Sequence, residues 1–168
     1  PFYMSGAFRS ASDLNDAGQM VGHLRTDAGA EHGYVWKNGV VTDLGTLGGR
    51  NSRAVAINGA GNAVGYSETA GGDTHAFLWK DGVMTDLGTL GGRRSSAAGI
   101  NEAGQVVGSS ETREGDTHAF LWEDGVMTDL GTLGGRTSAA ADINDAGQVV
   151  GSSTTPLNES LVVVWTIR

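Results

Sequence analysis

His75-Ala76-Phe77-Leu78-Trp79-Lys80-Asp81-Gly82-Val83-Met84-Thr85-Asp86-Leu87-Gly88-Thr89-Leu90-Gly91-Gly92 returns as His118 to Gly135 with one change, Glu123 in the place of Lys80. The step is 43 residues, and the rest of the chain keeps it. Tryptophan falls at 36, 79, 122 and 165. Leu14-Asn15-Asp16-Ala17-Gly18 returns in related form at Ile57, Ile100 and Ile143. A fixed period of this length signals a solenoid, a propeller or an array. One structural unit is therefore used about four times, with approximate limits 7–49, 50–92, 93–135 and 136–168 plus 1–6.

Within the second unit, Arg53 to Ile57 is a short, small-sided strand and Asn58-Gly59-Ala60-Gly61 is a turn, with Asn and Gly suited to tight turns. Asn62 to Ser67 makes a second strand. A polar loop from Glu68 to Thr74 leads into His75–Trp79, and Lys80-Asp81-Gly82 turns the chain into Val83–Leu87. Four short strands in this length match one blade of a propeller, and no segment carries a long helical period. The expected fold is all-β, a propeller of four four-stranded blades. Small side chains such as Ser96-Ala97-Ala98 suit the crowded strand nearest the axis, which places Met-Thr-Asp-Leu outermost. The Asn-x-Ala-Gly and hairpin turns then share one face. The long loops and the Gly-Gly-Arg crossings share the other.

Composition bounds the function. Eleven Lys and Arg stand against nineteen Asp and Glu, a formal charge of −8, which disfavours nucleic acid and anionic membrane as partners. With no cysteine, disulfides, thiolate metal sites and thiol nucleophiles are excluded. No apolar run approaches the roughly 20 residues of a membrane span. The opening Pro1 fits a processed chain.

The His-Ala-Phe-Leu-Trp pairs at 75–79 and 118–122, each followed by Asp-Leu-Gly-Thr-Leu-Gly-Gly, resemble the HAF repeat family of bacterial proteins. Unit one departs to His32-Gly33-Tyr34-Val35-Trp36, and unit four to Leu161-Val162-Val163-Val164-Trp165. The resemblance implies a repetitive β fold and an extracellular location, and no defined activity.

Four full periods would outrun the chain, so the fourth unit lacks its own outer strand. Phe2-Tyr3-Met4 is rich in strand formers and lies close to the register of that strand. The expectation is closure within one chain, with this segment completing the last blade. Strand donation between chains and an eight-bladed ring of two chains are the alternatives.

Arg50, Arg93 and Arg136 each follow Gly-Gly before an innermost strand, and Ser52, Ser95 and Ser138 are likewise equivalent. With Arg9 standing for the fourth arginine, they would ring a channel mouth and hold an anion or a sugar acid. The competing role is pairing with loop carboxylates such as Glu68, Glu111 or Asp116. His32, His75 and His118 lie too far apart for one metal site, and Asp43, Asp86 and Asp129 are their natural partners, so no metal or cofactor is expected. Trp36, Trp79, Trp122 and Trp165 are read as core between blades, and Asn15, Asn58, Asn101 and Asn144 as turn formers. Serine, histidine and aspartate recur with the repeat, whereas catalysis needs one asymmetric constellation. His23, outside the repeated slot, has no evident partner. The expected function is therefore a non-enzymatic, secreted binding or scaffold module with contacts on the long-loop face. A filament or oligomer subunit assembled through the N-terminal strand is the alternative, and a glycan-active enzyme a weaker one.

Overall fold

The computed structural model describes residues 8–167. Fifteen strands and no helix occupy them, in sheets of four, eight and three strands; the eight-stranded sheet is two antiparallel groups of four joined by one parallel pairing, Thr74 with Arg94, so that four antiparallel groups, or blades, follow one another along the chain. The first holds β1 (Phe8–Leu14), β2 (Met20–Arg25), β3 (Glu31–Lys37) and β4 (Val40–Asp43). The second holds β5 (Gly48–Ile57), β6 (Ala63–Thr69), β7 (Thr74–Lys80) and β8 (Val83–Asp86). The third holds β9 (Gly91–Ile100), β10 (Val106–Thr112), β11 (Thr117–Glu123) and β12 (Val126–Asp129). The fourth holds β13 (Ser138–Ile143), β14 (Gln148–Thr154) and β15 (Ser160–Thr166). Strands pair in chain order within each blade, as the hairpin turns require. Asp81 (φ 52°) and Gly82 (φ 82°) both take the left-handed conformation that a two-residue type I′ hairpin demands.

The first strands of blades two and three are longer than the sequence implies. The Gly-Gly-Arg crossings belong to them, so the expected limits at 50 and 93 fall inside β5 and β9. Gly48 pairs with Thr69, and the Glu68 carboxylate accepts the amide N–H groups of Arg50 and Asn51 at 3.1 and 3.3 Å. That carboxylate satisfies backbone donors that would otherwise have ended the strand.

A β-bulge recurs where the first strand meets the second, seen as register shifts between Ala54 and Ala56 and at the corresponding Ala97 to Gly99. The bulge drives the first strand's carbonyl into the second strand, so Gly22, Gly65, Gly108 and Gly151 stand opposite. A Cβ on Gly108 would lie 2.0 Å from the Ser96 carbonyl oxygen. Only glycine fits there.

Blades stack by an apolar layer repeated at each junction. Val21, Val35 and Leu44 of blade one meet Ala54, Ile57, Ala63 and Phe77 of blade two. Val64, Ala76, Leu78 and Leu87 then meet Ala97, Ile100, Val106 and Phe120, and Val107, Ala119 and Leu121 meet Ala140, Ile143 and Val149. Each buried Val, Leu, Ile or Phe among them contributes about 1.5–3 kcal/mol, and each alanine less. Trp79, Trp122 and Trp165 are half-buried against these same layers; Trp36, on the first blade, has no preceding blade among the described residues.

The described residues form no closed ring. The fourth blade packs on the third through β10, β11 and β13, and its other face is open. The closing segment Phe2-Tyr3-Met4 lies outside the described residues.

The bulge glycine gives a direct check. Gly108→Ala is expected to lower unfolding free energy by about 1–3 kcal/mol through overpacking. Gly125→Ala at the open hairpin should instead cost only the strain of its positive φ. Urea unfolding of both variants measures the difference.

Candidate functional site

The repeated polar residues are drawn into the junctions. Ser95 is buried, accepts the Ala76 N–H at 2.8 Å and donates to the Gly88 carbonyl at 2.5 Å. Ser52 does the same between Gly33 and Gly45, and Ser138 between Ala119 and Gly131. Each serine clamps the third strand and the outer turn of the preceding blade. The three hydroxyls expected to face a ligand are thus buried and saturated, because a small donor–acceptor is what the tight junction can hold.

The asparagine turns form a second tie. Asn15 Nδ2 donates to the Asn58 carbonyl at 2.8 Å, Asn58 to Asn101 at 3.0 Å and Asn101 to Asn144 at 3.2 Å. Meanwhile each Oδ1 accepts the amide N–H four residues on within its own turn. One side chain therefore both shapes a turn and carries a ladder from blade to blade. The sequence shows the turn but not the ladder; the 43-residue spacing of identical amides was the available signal.

His32, His75 and His118 are held by Asp43, Asp86 and Asp129, with Nδ1 to carboxylate distances of 2.9, 2.9 and 2.8 Å. Each aspartate also accepts a glycine N–H in the following turn. The histidines fasten the outer strand, as the sequence suggested. Among the described residues no three histidine or acidic side chains gather into a metal site.

The arginines divide. Arg93 Nε donates to Asp73 and Arg136 Nε to Asp116, both at 2.6 Å, across exposed loops. Arg9 lies within β1, one period before Ser52 rather than before Arg50, so it is not their fourth equivalent. Arg50 differs from its repeats. Ala30 stands where Asp73 and Asp116 stand later, and Arg50 Nη2 meets only the Gly29 carbonyl at 3.5 Å.

That unmatched guanidinium opens onto a cleft of about 550 Å³ between blades one and two, lined by Glu31, Arg50, Asn51, Arg53, Tyr66 and Glu68 with Gly29. Arg53 Nε donates to Glu31 at 3.1 Å, and its Nη2 reaches the same oxygen. This hydrogen bond holds the Glu31 carboxyl below its ordinary range and raises Arg53. Asn51 Nδ2 donates to Glu68 at 2.9 Å; this bond, then the Arg50 backbone, holds Glu68 low as well. Arg53 and Tyr66 break the repeat, since Ser96 and Ala139 follow the first and Ser109 and Ser152 the second. The cleft is where chemistry-bearing residues depart from the period.

Beside it, Ser10 Oγ lies 2.6 Å from His23 Nδ1, the partner that the sequence did not reveal. Tyr34 donates its hydroxyl to the Ser10 carbonyl at 3.1 Å and meets Phe8 edge to face, centroids 5.0 Å apart. Burial, reinforced by the Arg53 charge, lowers the pKa of His23. Neither Ser10 nor His23 lines the cleft.

No family model matches this chain, and no curated protein matches it in sequence. Its backbone is similar to the crystal structure of TolB from Acinetobacter baumannii, with a TM-score of 0.65 and 15% identity. The match covers 97% of this chain and 41% of the TolB chain. TolB contains a β-propeller. The fold here is propeller-like.

Two predictions follow from these contacts. Ser95→Ala strands a buried N–H and carbonyl, so it should destabilise by about 1–3 kcal/mol, against no more than about 0.5 kcal/mol for Ser96→Ala, read by denaturant unfolding. His23 should titrate below the ordinary histidine value of 6.5 in an NMR pH series. Because its folded pKa is depressed, the unfolded chain takes the proton first as pH falls. The stability it contributes is full above 6.5 and lost as pH drops through the lowered value, and His23→Gln should flatten that slice of the stability profile.

Proposed function

We propose that this chain is a non-enzymatic binding module whose ligand seats in the cleft between blades one and two. The observation that carries this reading is the loss of period at one place. Arg93 and Arg136 are paired with loop aspartates, the serines and histidines are tied into the fold, and of these three equivalent arginines Arg50 alone makes no ion pair among the described residues. Arg50 offers a planar fork of donors, Arg53 the donors that its Glu31 pair leaves over, Tyr66 an aromatic wall with a hydroxyl, and Asn51 an amide already bonded to Glu68. Guanidinium forks recognise carboxylate and sulfate bidentately, and an aromatic beside polar groups suits a sugar face. Glu31 and Glu68 balance the charge and accept hydroxyl or amine donors. The ligand class is therefore a small acidic saccharide or a comparable hydroxylated carboxylate. An extracellular setting, implied by the resemblance to HAF repeats, accords with such a ligand.

A binding isotherm with a uronic acid oligomer tests the proposal. Arg50→Ala and Arg53→Ala are each expected to weaken binding about tenfold or more, the loss of one charge-assisted hydrogen bond. Arg93→Ala and Arg136→Ala should leave affinity within about twofold, since surface ion pairs of that kind contribute little. Equal losses at all four arginines would move the site to the whole loop face.

A further inference from the structure

The cleft that holds Arg50 has a counterpart one period on, between blades two and three, and the two share a wall. This second cleft has a volume of about 310 Å³, at the small end of ligand clefts. Tyr66 lines both. Thr74, Arg94, Ser96, Ser109 and Glu111 line the second, at the positions where Glu31, Asn51, Arg53, Tyr66 and Glu68 line the first. One set of repeat positions therefore faces this groove, and the side chains on it differ from blade to blade. Ser96 pairs across the strands with Ser109 as Arg53 pairs with Tyr66. Two small side chains in place of two long ones leave room that the long ones would fill.

The second cleft also keeps bonding capacity that the first has spent. Glu68 accepts the Arg50 and Asn51 N–H groups and the Asn51 side-chain amide. Glu111 accepts only the Arg93 N–H among the described residues, at 3.2 Å, with Arg94 in the place of the asparagine. The Arg94 side chain is exposed and makes no ion pair or hydrogen bond among the described residues. The hydroxyls of Thr74, Ser96 and Ser109 have no partner there either, whereas the neighbouring Ser95 and Ser110 are committed to the fold. At the third junction Thr137 and Ala139 take the places of Arg94 and Ser96. The Thr137 hydroxyl lies 3.2 Å from that of Thr154, so this capacity is not repeated.

We infer, resting on the reading of the first cleft given above, that the two clefts are neighbouring subsites for one linear acidic saccharide. One carboxylated unit sits at Arg50, the chain crosses Tyr66, and a second carboxylated unit sits at Arg94. The ligand is an oligomer because packed sheets stand about 10 Å apart, farther than one sugar unit reaches. Arg94 takes the second carboxylate with a planar fork of donors. The free hydroxyls of Thr74, Ser96 and Ser109 meet sugar hydroxyls in either sense, since each can donate and accept, and Glu111 accepts from them. Tyr66, between the two, offers the apolar ring face on which a saccharide can lie, with a polar tip beside it.

NMR titration with galacturonic acid and with its linear trimer separates the two subsites. The trimer is expected to bind about tenfold or more tightly than the monomer, the gain of one charge-assisted contact. Arg94→Asn places in blade three the residue that blade two already carries at this position. It should remove the gain with length while leaving monomer affinity within about twofold. Arg50→Ala should weaken both ligands. Unchanged circular dichroism and a cooperative melt establish that the variants remain folded. Equal affinity for monomer and trimer, dependent on Arg50 in both, overturns the second subsite and leaves the first standing. A gain with length that survives Arg94→Asn also overturns the inference. Binding of neither ligand overturns the reading of the first cleft, and the second subsite with it.

Discussion

Everything in this molecule depends on how one blade sits on the next. The junction combines an apolar layer, a buried serine bonded to an N–H and a carbonyl, and an asparagine amide reaching the neighbouring turn. The apolar layer supplies most of the free energy but is indifferent to sliding. The serine and the asparagine are directional, and they fix how far one blade is shifted and rotated against the next. Small first-strand residues follow from this, since Ala54, Ala97 and Ala140 must come close enough for those bonds to form. The bulge follows too. It turns the first strand toward the preceding blade, and the glycine opposite is its steric consequence.

A residue used three times in this way is occupied by the fold, and that decides where function can reside. Ser52, Ser95 and Ser138 looked like ligand groups because hydroxyls beside arginines recur. Their recurrence is instead the mark of a structural duty performed at each junction. The residues with free capacity are those that escape the period. Ala30 in place of an aspartate leaves Arg50 without its carboxylate, while Arg53 and Tyr66 replace small side chains across the same cleft. In an array of near-identical units, departures from the repeat carry more functional information than the repeat.

Fold class was legible because glycine and tryptophan at fixed steps constrain the chain at once in turn, strand and core. The hairpins at Asp81-Gly82 and the order of strands within a blade were readable from local residues. The His75–Asp86 pair was readable from the period together with the chemistry of its two members. Closure was not, because it depends on the angle between blades, a sum of small rotations that no local residue encodes. The Ser10–His23 contact was hidden for a related reason. The two lie 13 residues apart on neighbouring strands, across a register shift between Phe8 and Ser10 that alternation alone cannot foresee. The extended β5 and β9 were missed because Glu68 acts as a backbone acceptor, and a loop carboxylate gives no sign of that in sequence.

Nearest-neighbour coupling also makes stability uneven along the chain. Blades two and three have a junction on both faces, whereas blades one and four have one each among the described residues. Blades one to three end on strands of four residues, such as β12, exposed and ending in Thr-Asp. Short polar edges of this type resist pairing with other chains. Blade four ends on β15, seven residues long with Leu161-Val162-Val163-Val164 at its centre. A long apolar edge beside an uncovered face is the feature that soluble β proteins ordinarily suppress. The same side chains that expose this blade to nonspecific pairing are those best able to hold a specific neighbour. Capping units of repeat proteins carry a polar outer face, and blade four instead presents the apolar surface of an internal unit.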